Sequence, residues 1–152
     1  MRSDLLSLSN FSIDYDAQKL FFAPLPTGLF SVKPHPVVMI LELRVQDCPV
    51  DLVVDTGIEG IVLFEDRLRR RIPNLRTEDN VEGLTIGRQS RAKQATLPQV
   101  QSGARTTNLK VLLPQGPHGN ILPGIDGYWG TASIKARRID FNFATKRLSW
   151  QD

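Results

Sequence analysis

The chain has 152 residues, of which 41% are hydrophobic and 23% charged, and this size and composition are typical of one folded domain rather than a disordered chain. No apolar run reaches the roughly 18–20 residues that a membrane-spanning helix needs. One cysteine excludes an intrachain disulfide and a zinc site built on paired cysteines. The net charge of +3 is a weak basic bias that does not predict nucleic-acid binding.

The N-terminal residues do not have the pattern of a signal peptide. Arg2 is followed closely by Asp4, and no apolar stretch of roughly 7–15 residues follows them. We therefore expect a soluble chain that carries no export signal within these residues. The compartment stays open.

The first third of the chain predicts short strands around a linker. Residues 11–15 alternate apolar and polar side chains, as a half-buried strand does, and residues 20–22 form an apolar patch. Residues 23–36 contain repeated prolines and predict a linker. Residues 37–45 and 50–54 predict two strands that are joined by a turn at 46–49, so that the second strand ends at Asp55.

The rest of the chain also predicts mostly strands. Residues 61–64 are apolar, and residues 65–72 predict a short helix that stops at Pro73. The polar segment 74–107 predicts a mobile hairpin with its turn at 87–90. Further strands are predicted at 109–113 and from 138 to a point near Trp150, with one or two helical turns at 131–137. The predicted fold class is therefore all-β.

Two segments near the ends of the chain are similar to each other. Residues 13–20 resemble residues 139–148 when small insertions are allowed. Two similar strands could lie side by side in one sheet, each as the closing strand of the same kind of lobe. Chance similarity of two strand-and-turn segments is the simpler alternative.

The candidate chemistry lies in the tripeptide Asp55-Thr56-Gly57. It follows directly on the predicted strand 50–54, and an apolar segment resumes at Ile61. A carboxylate at the end of a buried strand loses hydration, a threonine hydroxyl can tie the turn, and a glycine lets another backbone approach closely. Two such turns face to face would make two carboxylates share one proton, so that one could activate water and the other polarise a carbonyl.

The chain resembles the retropepsin-like (retroviral-type) aspartic protease family over roughly residues 37–150. Four segments carry the resemblance in the family's order. They are the hairpin 40–54 that leads into Asp55-Thr56-Gly57, the polar hairpin 84–97, the apolar-Gly element 126–130 and the closing strand 138–141. The resemblance implies a closed β-barrel lobe with a flap hairpin and one short helix.

The resemblance also implies a function. A family lobe carries one catalytic aspartate, so we expect a homodimer with Asp55 from each chain at the two-fold axis. Thr56 and Gly57 would shape the turn, and Thr56 would brace the two turns across the axis. The flap would place Ile86, Gly87 and Arg88 over an extended peptide or protein substrate. Because water is the nucleophile, no metal or organic cofactor is expected. The protease domain is predicted at 33–152, after an N-terminal strand and linker at 1–32.

Two departures from the family pattern keep alternatives open. Ile58 and Glu59 stand where the family usually has small residues, and Tyr128-Trp129 replaces a small aliphatic pair. An inactive lobe that serves as a binding or assembly module is one alternative. A second is that residues 4–22 are the tail of a preceding lobe, which would make this chain the second half of a two-lobe protease.

Other candidate residues favour structural roles. The arginines within 67–71 are more typical of a solvated face than of an anion-binding site, although binding of an anionic partner through them stays a third alternative. The remaining candidates are interpreted as loop, turn, plain-thiol or core residues: His35, His118, Cys48, Asp126, Trp129 and Trp150.

Overall fold

The computed structural model describes residues 9–22, 30–33, 35, 38–72, 75–85, 88–102, 105–115, 122–134 and 136–151. The chain forms strands with one four-residue α-helix, α1 (Glu65–Leu68), and a 3-10 turn at Thr131–Ile134. The strands are β1 (Phe11–Asp14), β2 (Lys19–Phe22), β3 (Phe30–Lys33), β4 (Ile40–Val45), β5 (Cys48–Asp55), β6 (Ile61–Leu63), β7 (Thr77–Thr85), β8 (Arg88–Ser102), β9 (Arg105–Pro114), β10 (Gly127–Gly130), β11 (Arg138–Asn142) and β12 (Arg147–Gln151).

Six of these strands form a closed barrel. They pair in the order β4-β5-β10-β6-β9-β8, and pairing of β4 with β8 closes the circle. This confirms the predicted all-β, retropepsin-like barrel lobe. Five of the remaining strands extend the sheet in the order β2-β1-β11-β12-β3, which joins the barrel where β3 pairs with β4, and the sixth, β7, pairs with β8.

A bulge in β8 lies next to the point where the barrel closes. The register of β8 with β9 shifts between Leu97 and Val100, where Gln99 has a φ of 50°. The backbone N–H of Gln99 donates to Asn108 Oδ1 at 3.1 Å, so the unpaired bulge amide has a partner. Beyond the bulge, Val100 pairs with Val45 of β4. A bulge bends its strand in this way.

The barrel is filled by alternating apolar side chains of its strands. Leu41, Leu43, Leu52, Leu63 and Leu113 are each at most 3% exposed. A second, smaller apolar cluster is formed by Ile40, Val53, Phe64 and Ile125. Ile40 and Val53 are neighbours of core residues on β4 and β5, and successive side chains of a strand point to opposite faces. The barrel therefore has apolar contacts on both faces at this point.

Several predicted boundaries are wrong in detail. The linker predicted at 23–36 contains strand β3, which pairs with β4 and β12. The strand predicted from 138 to near Trp150 is a hairpin of two strands, β11 and β12. The helix predicted at 65–72 is α1 followed by turns. Strand β3 crosses the predicted boundary at 32/33. The division into 1–32 and 33–152 stays a prediction. Within the described ranges, no helix is both long and apolar enough to span a membrane.

Candidate active site

Asp55 lies at the end of β5, where three strands meet. β5 pairs antiparallel with β4 and parallel with β10, and Gly130 at the end of β10 is the register partner of Asp55. β10 in turn pairs antiparallel with β6. The strand β10 therefore runs between the two strands that flank residues 56–60. This arrangement fixes the position from which the Asp-Thr-Gly turn leaves the barrel.

The turn holds the carboxylate by a local hydrogen bond. The backbone N–H of Gly57 donates to Asp55 Oδ1 at 2.8 Å. A Cβ on Gly57 would stand 3.3 Å from the same oxygen, so the glycine keeps this space open. Asp55 is half-buried, whereas Thr56 and Gly57 are exposed. The lobe thus presents this turn at its surface.

Gly130 allows β10 to lie directly against the backbone of the turn. Its N–H donates to the Gly60 carbonyl at 2.9 Å. A Cβ at Gly130 would lie 2.1 Å from the Ile58 carbonyl oxygen and 2.4 Å from that of Gly60. Both distances are too short for any side-chain carbon. Gly127 is equally tight, since a Cβ there would lie 2.0 Å from the Val62 carbonyl oxygen. These glycines are required by close backbone contact rather than by their φ angles.

The bulky pair between those glycines is accommodated on both faces of β10. Tyr128 packs edge-on against Phe64, with ring centroids 5.7 Å apart. Trp129 is 2% exposed and packs against Trp150 at 5.3 Å. The departure from small aliphatic residues noted at 128–129 is therefore compensated by aromatic partners, and the interpretation of Trp129 as a core residue agrees with its burial.

Asp126 is a buried structural carboxylate rather than a second catalytic one. Its Oδ2 accepts the Asp51 N–H at 2.9 Å, and its own N–H donates to the Asp51 carbonyl at 2.8 Å. Arg71 pairs with its other carboxylate oxygen and also donates to the Pro49 carbonyl at 2.8 Å. A buried charge needs such partners. The interpretation of Asp126 as a simple turn residue missed this role.

The arginines within 67–71 are mostly engaged within the protein. Arg67 donates to the carbonyls of Leu122, at 3.2 Å, and Ile125, and Arg69 pairs with Glu65. With Arg71 on Asp126, these contacts leave little of the run for an anionic partner. Sequence reasoning could not assign them, because each partner outside α1 comes from a distant segment.

The predicted flap corresponds to the hairpin of β7 and β8. The two strands pair from Thr77↔Ala95 to Thr85↔Arg88. Of the predicted flap residues, Arg88 begins β8, while Ile86 and Gly87 lie outside the described residues. The hairpin is longer than predicted, since it starts at Thr77. Among the described residues, no group of three or more His, Cys, Asp or Glu side chains could hold a metal ion.

The comparisons with known proteins agree with this geometry. The model of the aspartyl protease family matches residues 41–127, more than half of the chain, and the chain therefore belongs to that family. The match includes the Asp-Thr-Gly turn, the β7–β8 hairpin and the start of β10. A search of curated proteins found no match.

A comparison with solved structures supports the fold through one match with a TM-score of 0.50. The crystal structure of a retropepsin-like aspartic protease from Rickettsia conorii matches with a TM-score of 0.50 and 17% identity, over 70% of this chain and 76% of that one. The EIAV protease in complex with the inhibitor HBY-793 matches with a TM-score of 0.44 and 14% identity, over 68% of this chain and 90% of that one. The resemblance to retropepsin-like proteases is confirmed.

Proposed function

We propose that this chain is a lobe of an aspartic endopeptidase and that Asp55 is its catalytic acid and base. The observation that carries the proposal is the position of Asp55. It ends a core strand, its carboxylate is held by the Gly57 N–H, and the two residues that follow it are exposed. A carboxylate presented in this way can meet a second one.

The chemistry needs two carboxylates, and each lobe supplies one. In the simplest assembly a second copy of the chain supplies the other, which gives a homodimer with Asp55 from each protomer at the two-fold axis. Thr56 from each turn would brace the pair. Two carboxylates placed side by side share one proton, because adjacent negative charges repel each other.

The reaction then follows from the protonation of the pair. The ionised carboxylate takes a proton from water as the water oxygen bonds to the scissile carbonyl carbon, and the protonated carboxyl gives its proton to the carbonyl oxygen. The tetrahedral product collapses when the C–N bond breaks and a proton passes to the leaving nitrogen. This chemistry uses water as the nucleophile and requires no metal or organic cofactor.

The substrate is a peptide or protein segment in extended form. It would pair its backbone with the barrel strands and with the β7–β8 hairpin. We propose Ile86, Gly87 and Arg88 as the part of this hairpin that covers the substrate. We also retain residues 33–152 as the protease domain, with residues 1–32 as a preceding segment.

A non-catalytic lobe is the second candidate function, and it is favoured by the two residues after the turn. Ile58 is half-buried and Glu59 is exposed, and both are larger than the family pattern. In this case the lobe serves as a binding or assembly module on the same fold. A pepstatin-type inhibitor separates the candidates: a working site gains thermal stability from the bound inhibitor, whereas a module shows no shift in Tm.

Cleavage of an unfolded, fluorescently labelled protein tests the catalytic proposal directly. We expect Asp55→Asn to reduce cleavage by about 10³-fold or more with an unchanged Tm. Asp47→Asn, in the exposed β4–β5 turn, is the matched control and should cleave normally. Cleavage retained by Asp55→Asn would contradict the assignment of this residue.

A further inference from the structure

The hairpins β1–β2 and β11–β12 are the same structural unit, present twice. Ser12 is the register partner of Asp140, 128 positions away, and other features recur at that offset. Asp14 and Asn142 each accept the backbone N–H of the third residue that follows, at 2.8 and 3.0 Å. Each hairpin then has one residue at positive φ, Gln18 at 52° and Lys146 at 54°.

The two hairpins are related by a local two-fold axis. β1 and β11 pair antiparallel, with Ser12 opposite its own counterpart Asp140, and two equivalent strands that pair in this way are exchanged by a half-turn about that point. The axis takes β1 to β11 and β2 to β12. The similarity between the two ends of the sequence is therefore structural, without the insertions that the sequence comparison allowed.

Burial breaks this symmetry. Leu148 of β12 is 0% exposed because the barrel covers it, whereas its counterpart Leu20 of β2 is 46% exposed. Trp150 packs against the core, whereas its counterpart Phe22 is 57% exposed. Large apolar side chains at such exposure, side by side on one strand, are typical of an interaction surface.

Hydrogen bonding breaks the symmetry in the same direction. β12 pairs with β3 on its outer side, where Leu148 opposes Phe30 and the Val32 N–H donates to the Lys146 carbonyl at 3.1 Å. β2 pairs with β1, and among the described strands none pairs with its other edge. An open edge with apolar side chains is a template for another strand.

We propose that β1–β2 is the closing hairpin of a second lobe of the same fold. That lobe would cover Leu20 and Phe22 as this barrel covers Leu148 and Trp150. Its strand equivalent to β3 would pair with the free edge of β2, donating to the Gln18 carbonyl as Val32 does to Lys146. The occupant follows from the symmetry, because what covers β12 is a barrel and β2 is its two-fold equivalent.

This inference rests on the proposed function and changes the source of its second aspartate. A half-turn about the axis that exchanges the hairpins also generates a second barrel. The Asp-Thr-Gly turn of that barrel is the two-fold equivalent of the turn that carries Asp55. A second copy of this chain cannot pair its β11 with this β11, because β1 already occupies that edge. The partner is therefore a lobe that shares β1–β2 rather than one with a complete sheet of its own.

A tandem chain tests the proposal. Residues 30–137 are joined directly to residue 10 of the full chain, since residue 10 corresponds to residue 138, so that β1–β2 can close the added lobe. Hydrogen exchange of the β2 amides is compared with that of the 152-residue chain. We expect a monomer in which these amides exchange at least about tenfold more slowly. A folded tandem chain whose β2 amides exchange as fast as before would overturn the inference.

Cleavage by the same tandem chain separates this inference from the proposed function. If the β2 amides are protected but no peptide is cleaved, the result supports the inference that the two lobes share β1–β2. The same result contradicts the proposed catalytic function. Asp55→Asn in either lobe should abolish cleavage and leave the protection of β2 unchanged. A dimer of the 152-residue chain that protects β2 at high concentration would overturn the inference in favour of a second copy.

A pair of substitutions in the 152-residue chain tests the inference without the tandem chain folding. We expect Leu20→Ser to leave Tm within about 2 °C of the parent, because the face is uncovered. Leu148→Ser, its matched counterpart, should lower Tm by roughly 5–15 °C. A loss from Leu20→Ser as large as that from Leu148→Ser would mean that this chain already fills the face, and would overturn the proposal.

Discussion

Ser12 and Asp140 face each other across β1 and β11, and the Ser12 hydroxyl donates to Asp140 Oδ1 at 2.5 Å. Both residues are almost completely buried, at 0% and 3% exposure. Arg138 donates to both of them, at 2.8 Å to Asp140 and 2.9 Å to Ser12. The N-terminal hairpin is thus attached to the closing strand by a buried polar network as well as by the sheet.

This network predicts the effect of removing the hydroxyl. Ser12→Ala should lower the free energy of unfolding by about 1–3 kcal/mol, because the buried, charged carboxylate of Asp140 loses the hydrogen bond that the Ser12 hydroxyl donates to it. Ser149 reaches the same carboxylate at 3.4 Å, so Ser149→Ala is a control with a smaller expected loss. Urea unfolding followed by tryptophan fluorescence measures both. Equal losses in the two variants would contradict a special role for Ser12.

The ion pair between Arg71 and Asp126 should be among the most sensitive polar contacts. Asp126→Ala leaves Arg71 without its carboxylate and the Asp51 N–H without its acceptor, and the loss of these hydrogen bonds to a charged group should cost about 1–3 kcal/mol. Arg70→Ala, on an exposed residue of the same segment, should change stability by less than about 0.5 kcal/mol. If Asp126→Ala loses no more stability than the Arg70→Ala control, the ion pair between Arg71 and Asp126 does not stabilise the fold as proposed.

Backbone contact at Gly130 predicts a sharp difference between two glycines. Gly130→Ala would push a Cβ into the carbonyls of Ile58 and Gly60, whereas the nearest atom to a Cβ at Gly60 is 3.6 Å away. We expect Gly130→Ala to lose about 3 kcal/mol or more in stability, and cleavage with it, because overpacking displaces the turn that carries Asp55. Gly60→Ala should remain folded. Thermal unfolding and peptide cleavage, measured on both variants, would expose the idea as wrong if the two behaved alike.

The stability of the chain should fall in acid partly through Glu65. Its hydrogen bond from Arg69, together with the nearby Lys93, lowers the pKa of this carboxyl although partial burial opposes the shift. A lowered pKa in the folded state stabilises the fold at pH above the unfolded value of about 4.3, and this stability is lost as pH falls through the folded pKa. Glu65→Gln should therefore give a shallower loss of stability below about pH 4.5. Chemical unfolding from pH 3 to pH 7 measures this, and an unchanged slope would contradict it.

The β4–β5 turn offers a stabilising change. Gln46 and Asp47 both have positive φ, 48° and 69°, as in the two-residue hairpin turn that favours Asn-Gly. Gln46→Asn with Asp47→Gly should raise the free energy of unfolding by about 0.5–1 kcal/mol, since both replacements tolerate this backbone region better. Unfolding in urea tests it, with Arg70→Ala, on an exposed residue outside this turn, as the control. A decrease in stability would show that the native side chains make contacts worth more than the backbone strain.

Local patterns in the sequence were sufficient for much of the barrel. The alternation in residues 40–54 predicted the β4–β5 hairpin and the position of Asp55 at its end, because burial of one strand face imposes a two-residue period. The Asp-Thr-Gly turn follows directly on this segment, and three further segments completed the family resemblance. The similarity of the two ends predicted adjacent strands, and β1 does pair with β11.

Other features depended on contacts between distant segments. Nothing local distinguishes Asp126 from an ordinary turn residue, since its partners Arg71 and Asp51 are 55 and 75 positions away. The strand β3 lies in a proline-containing segment and is recognisable only from its pairing with β4 and β12. The length of β8 was missed because Pro98 interrupts the pattern, while tertiary pairing on both sides of the bulge maintains the strand.

The sequence by itself predicted the fold class and the family and suggested Asp55 as the catalytic residue that we propose, because short-range periodicity and one tripeptide carry this information. The tertiary structure alone decided which edges of the sheet are occupied. Among the described strands, β1 covers the edge of β11 and none covers the outer edge of β2, and Leu20 is exposed at the position where Leu148 is buried. Strand partners are selected by packing and hydrogen bonding over the whole chain, so sequence patterns predicted only some of them.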